Sequence, residues 1–255
     1  MSGWHLDGAV LGPAARESFR SLEAAFSLTG QRVTQDQISD VVLVRADGRN
    51  YFVKRYGTAG KYLRRFLGMP RIAAEWRNLQ RFAQWGIPTA RVVAWGLERT
   101  LGLIFRRGAM VTEEIPGTVD LLRMARSGDP RLRQRAFVAR LSADVAQIVR
   151  TLHGHRFAHN DLHWRNLLYQ EESGRIFLID CPTGRFWHGP LLNYRVAKDL
   201  AALDNTARIY LSRTQRLRFY LDYAGKTRLD ETGKKAIRHV MHAAEHRRRR
   251  KQGKA

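Results

Sequence analysis

The sequence predicts an α+β chain in two parts: a strand-rich first half carrying one key helix, and a mainly helical second half. Three observations predict it. Runs rich in β-branched and aromatic residues crowd the stretch before Pro116-Gly117. Apolar residues at helical spacing dominate after it. The dipeptide Asp47-Gly48 joins two of the early runs, a hairpin signal that makes the first sheet antiparallel. The expected division is 1–115 and 116–255.

Each element follows in order. Residues 14–28, AARESFRSLEAAFSL, have helical spacing and stop at Thr29-Gly30. DVVLVR and NYFVKRY read as paired strands, which puts Lys54 inside a strand with Phe52 and Tyr56 on its own face. The basic stretch GTAGKYLRRFLGMP ends at Pro70, a helix-starting residue. A helix is expected from Arg71 to about Trp85, closed by Gly86, with Ile72, Trp76, Leu79 and Ala83 as its apolar stripe. Glu75 falls on the flank of that stripe near Phe82, half buried, where a carboxylate is costly unless it finds a cation.

ARVVAWGL and LGLIFRRGAMVTEEI read as further strands. RLSADVAQIVRTLHGH then places Leu141, Val145, Ile148, Val149 and Leu152 on one helical face and leads into the polar loop of FAHNDLHWRNLLY. NLLY and RIFLID are short strands around QEESG, and the chain is helical from about Asn193.

Composition bounds the rest. With 255 residues, 44% hydrophobic and 27% charged, the chain is globular and long enough for a real core. It has no apolar run near the roughly 18 residues of a membrane span. The first residues, MSGWHLDGAV, lack the basic and apolar regions of a secretory signal. The single Cys181 excludes an internal disulfide and fits a reducing, cytoplasmic setting. Lys+Arg 45 against Asp+Glu 23 gives a net charge of +22, a field that attracts polyanions.

Four features fall in an order that carries chemistry. Lys54 is on a strand and Glu75 on the following helix. His159-x-Asp161, with Asn166 five positions after the Asp, forms a loop after a long helix. Asp180 ends an apolar run nineteen residues after Asp161. This order matches what phosphoryl transfer from ATP requires in a two-lobed kinase. A strand lysine reaches the α/β-phosphates if a helix glutamate holds it. Mg²⁺ takes hard oxygen ligands from Asn166 and Asp180. Asp161 accepts the proton of the attacking hydroxyl. His163 or Arg165 supplies a cation for the transferring phosphoryl group. In VTEEIPGT, backbone groups of Glu113 and Ile115 supply an acceptor and a donor for adenine.

YFVKRY, AAEWRNL, HNDLHWRNLLY, FLIDCP and KDLAAL resemble the bacterial lipopolysaccharide kinase family, over roughly residues 40 to 210. The resemblance implies a two-lobed protein-kinase-like fold and phosphorylation of an inner-core lipopolysaccharide sugar, heptose or Kdo, with heptose expected. It makes Lys54 and Glu75 the ion pair, Asp161 the base, and Asn166 and Asp180 the metal ligands, with ATP and Mg²⁺ as cofactors. The chain departs from the protein-kinase pattern in three places. TGQRVTQDQISD, before Lys54, has one glycine. Cys181-Pro182 replaces Phe-Gly after the metal Asp. Asp199, the candidate support for the catalytic loop, lies nineteen residues after Asp180, which leaves little room for an activation loop.

The implied partners are the core oligosaccharide or its lipid-linked precursor and the anionic inner face of the cytoplasmic membrane, with Arg64, Arg65 and Arg247 to Lys251 as membrane-facing cations and no specific nucleic acid. Two other readings stand beside this one. One is a tyrosine-like protein kinase, from the Arg-Asn ending of HNDLHWRN. The other is a catalytically silent kinase-like module that binds anionic lipid or nucleic acid.

Overall fold

The computed structural model describes residues 3–35, 39–57, 69–101 and 104–252, without side chains for Gln35 and residues 246–252. The chain forms two compact units. One comprises Met1–Gln84 and Thr89–Pro116, the other Trp85–Pro88 and Gly117–Ala255. The segment Trp85–Pro88 belongs to the second unit for a physical reason: Trp85 stacks on His155 at 4.3 Å, and the Leu178 N–H donates to the Pro88 carbonyl.

The first unit is a six-stranded antiparallel sheet. Its strands are β1 (Gly3–Leu6), β2 (Gln31–Gln35), β3 (Ser39–Ala46), β4 (Arg49–Tyr56), β5 (Val92–Thr100) and β6 (Ile104–Glu113), in the order β1-β5-β6-β4-β3-β2. The β3–β4 hairpin forms as expected. Asp47 and Gly48 both adopt positive φ, 48° and 76°, as its tight turn demands. The Asp47 carboxylate also accepts from the Ala14 and Ala15 N–H groups.

β1 and β2 were not expected. Both are edge strands: β1 alternates, but over only four residues, and β2 is mostly polar, so each depends on its neighbouring strand and gives little signal of its own.

One helix was expected over 14–28, and two are found: α1 (Pro13–Ser18) and α2 (Leu22–Ser27). Ser21 ends the continuity, because its side chain accepts from the Ala24 N–H and caps α2. Phe19, fully buried in the break, packs edge-on against Tyr51. Both join Ala15, Ala25, Val53 and Val111 in the core on one face of the sheet. Burying a side chain such as Phe19 stabilises by roughly 1.5–3 kcal/mol.

Helix α3 (Arg71–Gln84) packs on the other face, where Trp76 stacks on Trp95 at 3.9 Å. Gly86 at φ 71° follows it. Its buried stripe is Ile72, Glu75, Leu79 and Phe82 with Ala73 and Asn78. Trp76 is only half buried and Ala83 is exposed, so the stripe is rotated from the expected one.

The second unit is mainly helical. After β7 (Thr118–Asp120) come α4 (Leu121–Arg126) and α5 (Arg135–Gly154). Leu141, Val145, Ile148, Val149 and Leu152 all lie on the buried face of α5. β8 (Phe157–Ala158), β9 (Leu167–Gln170), β10 (Ile176–Leu178) and β11 (Arg185–Phe186) follow, and β10-β9-β7 and β11-β8 form two small antiparallel sheets. Helices α6 (Gly189–Tyr210), α7 (Arg213–Ala224) and α8 (Glu231–Gln252) complete the chain. α7 has sharp ends: a capping box at Ser212 and Gln215, and Gly225 in the left-handed conformation. Among the described residues, no helix is long and apolar enough to cross a membrane.

Candidate active site

In the first unit the candidate side chains lie on one row of the sheet and on the helix that faces it. β4 alternates, so Tyr51 and Val53 enter the core while Lys54 and Tyr56 face α3. There Glu75 meets both. The Lys54 ammonium donates to both carboxylate oxygens at 2.9 Å, and the Tyr56 hydroxyl donates to Oε2 at 2.7 Å.

Glu75 is 2% exposed, more deeply buried than the half-buried flank position expected. Burial of that depth is tolerable because the carboxylate is both ion-paired and hydrogen-bonded. Burial, and then the charge of Glu75, push the Tyr56 phenol well above its ordinary value, so it stays a neutral donor. The contribution of Tyr56 was missed from sequence, although its place two positions from Lys54 on the same face was legible.

Glu113 ends β6. Its N–H donates to the Arg91 carbonyl and its side chain pairs with Arg49 at 2.8 Å. Ile115 follows in the stretch before Pro116. Gly30, the one glycine of TGQRVTQDQISD, has a packing role: a Cβ there would sit 2.3 Å from the Leu43 carbonyl oxygen. Residues 36–38, the rest of that connection, lie outside the described residues, as do Arg64 and Arg65.

In the second unit, α5 ends at Gly154 and β8 brings the chain to His159. The loop backbone is then fixed from α6. Asp199, 1% exposed, accepts the His159 N–H at 2.7 Å on Oδ2 and the Asn160 N–H at 2.9 Å on Oδ1. His153 Nε2 lies 3.5 Å from the same Oδ2, and its Nδ1 is 2.9 Å from the Tyr223 hydroxyl. His159 is fully buried, and burial lowers its pKa against the pull of Asp199, Asp161 and Asp180.

Asn160 takes φ 64°, a conformation Asn tolerates better than most residues. Its amide donates to the Ala158 and Thr183 carbonyls, tying the loop to the turn after Asp180. This tie was also missed from sequence.

Asp161 sits between two basic side chains. His163 Nε2 is 3.2 Å from Oδ1, and the Arg165 guanidinium donates to Oδ2 at 3.0 Å. Burial works to raise its pKa, but these two neighbours outweigh it and hold the carboxyl well below the usual carboxylate range. Asn166 is 3% exposed, and its amide nitrogen donates to the Asp161 carbonyl at 2.9 Å. That bond commits the nitrogen and leaves the side-chain oxygen as a hard donor.

The Ile179 N–H donates to the Asn166 carbonyl, which brings the run ending at Asp180 to the loop. Asp180 itself has φ 60°. Among the described residues, no group of three or more His, Cys, Asp or Glu could hold a metal ion. An amide oxygen and a carboxylate nevertheless fit a Mg²⁺ that takes its other ligands from phosphate and water. Residues 181–188 alone separate Asp180 from α6, and Arg185–Phe186 pair back onto β8.

The lipopolysaccharide kinase (Kdo/WaaP) family model matches residues 22–223. Among solved structures, "WaaP in complex with acyl carrier protein" superposes with a TM-score of 0.71 at 25% identity, covering 95% of this chain and 98% of that one. No curated protein matches in sequence. The family match spans most of the chain, including Lys54, Glu75 and the whole of the Asp161 loop. The chain belongs to the lipopolysaccharide kinase (Kdo/WaaP) family, phosphotransferases acting on a sugar hydroxyl.

Proposed function

We propose that this kinase transfers the γ-phosphoryl group of ATP to a hydroxyl of an inner-core sugar, heptose, and that the residues above carry the reaction. The observation that carries the reading is Asp161 on a backbone held by Asp199, with Asn166 bonded to the same loop. Lys54, held by Glu75 and Tyr56, pairs with the α/β-phosphates. The Glu113 carbonyl and the Ile115 N–H receive adenine. Asn166 and Asp180 would hold Mg²⁺, which when bound would offset the negative charge of the phosphates.

Asp161 accepts a hydrogen bond from the acceptor hydroxyl and orients it. The hydroxyl oxygen bonds to the γ-phosphorus as the bond to the bridging oxygen breaks, ADP leaves, and the proton passes to Asp161. A carboxylate this acidic is a weak base, so its main contribution is orientation, as a loose transition state allows. The Arg165 side chain is 58% exposed, so it exchanges Asp161 for the phosphoryl group at little cost.

Asp161→Asn tests this with labelled ATP, Mg²⁺ and dephosphorylated core oligosaccharide. Turnover should fall about 10²–10⁴-fold while nucleotide binding stays near wild type and the variant remains folded. Wild-type turnover by the variant would remove the assignment. Mass spectrometry of the product distinguishes heptose from Kdo. Phosphorylation of peptides but not of the oligosaccharide would favour the protein-kinase alternative, against which the short segment 181–188 speaks.

Two partners follow as proposals. An acyl carrier protein is one, because the WaaP structure contains it and because the second unit has an apolar pocket lined by Leu141, Val145, Trp164, Leu203 and Phe219, suited to an acyl chain. Co-purification with acylated but not unacylated carrier protein tests it. The anionic inner face of the cytoplasmic membrane is the other, on the strength of the +22 charge. Equal flotation with anionic and neutral liposomes would remove it. Arg247 to Lys251 fall at the end of α8, where side chains are not described.

A further inference from the structure

Beside the catalytic loop lies a cluster of aromatic rings and cations that the reaction above does not use. Arg195, on α6, donates to Asn160 Oδ1 at 3.4 Å, one residue before Asp161. Its guanidinium carbon lies 4.3 Å from the centre of the Trp187 ring and 5.8 Å from that of Tyr194. The Lys198 ammonium lies 5.4 Å from the Tyr194 ring, one helical turn on. The Arg185 guanidinium lies 6.0 Å from the centre of the Trp187 ring.

Arg107, Arg131 and Arg216 each pair with carboxylates. Arg185, Arg195 and Lys198 have no carboxylate partner among the described residues. Two donors in the cluster, Trp187 Nε1 and Arg195 Nε, are buried without a hydrogen-bond acceptor, which native structures seldom leave so. Tyr194 is meanwhile 53% exposed, a large ring face open to solvent. The cluster is therefore rich in donors and positive charge, short of acceptors, and lined with flat apolar faces.

From this we infer that Trp187, Tyr194, Arg195 and Lys198 form the subsite for the acceptor saccharide. It takes a saccharide that bears an acidic substituent, a carboxylate, on a sugar neighbouring the one that is phosphorylated. Ring faces pack against the C–H face of a sugar, and the guanidinium and ammonium groups supply charge-assisted hydrogen bonds to the acidic substituent. Arg195 connects the two functions: it touches the loop residue beside Asp161 and carries the charge that fixes the saccharide. This inference rests on the sugar-kinase reading above and adds where, and by what chemistry, the acceptor is held.

The test uses the full chain, ATP with Mg²⁺, and lipid-free dephosphorylated core oligosaccharide as probe. Tyr194→Ala, Lys198→Gln and Arg195→Gln should each raise the acceptor KM about tenfold or more, with the ATP KM changed less than about twofold. Tyr194→Ala and Lys198→Gln keep the proposal testable apart from the loop contact of Arg195. Lys234→Gln, which removes one charge from α8, should leave the acceptor KM at the wild-type value.

If the wild type turns over but the first three variants keep its acceptor KM, the subsite is wrong and the kinase reading stands. If the wild type phosphorylates no core saccharide, both fall. Variants that lose binding to phosphatidylglycerol vesicles yet keep the acceptor KM would make this a membrane contact and overturn the inference.

Discussion

The buried Lys54–Glu75 pair supports a quantitative test. At 2.9 Å the attraction is about 4–6 kcal/mol in an effective dielectric of roughly 20. Desolvation of two charges takes back several kcal/mol, so the intact pair contributes little net stability. Removing one partner is different, because the other charge stays behind in a site where the Glu75 side chain is 3% exposed. Lys54→Met should then cost about 3–5 kcal/mol, and Glu75→Leu a similar amount. For a chain of this size that lowers the melting temperature by about 6–20 °C. Lys54→Met is therefore a folding variant as well as a catalytic one, which the half-buried position expected for Glu75 did not suggest.

The double variant removes both charges and should recover most of the loss. Its melting temperature should lie within a few degrees of wild type, with a coupling of about 3 kcal/mol or more across the four-protein cycle. Phosphoryl transfer should not recover, since the ammonium proposed to meet the phosphates is gone. Differential scanning fluorimetry and an activity assay on the same four proteins decide it. Strictly additive losses, or a Lys54→Met change below about 1 kcal/mol, would refute the argument from burial.

Three other perturbations test the second unit. Removing both cations beside Asp161, by His163→Ala with Arg165→Ala, leaves burial as the dominant influence. Its carboxyl, titrated by NMR, should move from below the ordinary value of about 3.9 to above it, and an unchanged titration would contradict the pairing. The sign for stability follows. A folded-state pKa below the unfolded one stabilises above about pH 4, and that contribution disappears as pH falls through the lower folded value, so the acid limb of unfolding should flatten in the double variant. Asp199→Asn replaces one accepting oxygen with an amino group, leaves one loop N–H unsatisfied, and should cost about 1–3 kcal/mol together with a fall in kcat. Gly184→Ala would put a Cβ 2.4 Å from Cys181 Sγ and 2.5 Å from the Phe157 ring, costing about 1–3 kcal/mol and turnover, whereas Gly154→Ala meets nothing within 4 Å and should be neutral in both assays.

Much of this architecture was legible in the chain because it rests on local rules. The β3–β4 turn follows from Asp47-Gly48, and the buried face of α5 follows from the spacing of Leu141 through Leu152. Edge strands β1 and β2 were invisible because the alternation of β1 spans only four residues and β2 is mostly polar, so their stability comes from a neighbour. The break between α1 and α2 was hidden because apolar spacing continues across Ser21, whose cap is a side-chain bond that periodicity does not record.

The sequence by itself determined the chemistry: an ammonium, carboxylates and an amide, in the order that phosphoryl transfer uses, and a charge of +22. It did so because residue identity and strand or helix period are local properties. Tertiary structure decided which groups share a partner. It buried Glu75 against both Lys54 and Tyr56, hung the loop of His159 and Asn160 on Asp199, and pinned Asp161 between His163 and Arg165. Burial and most hydrogen-bond partnerships depend on segments tens of residues apart meeting in space, and no local pattern encodes that meeting.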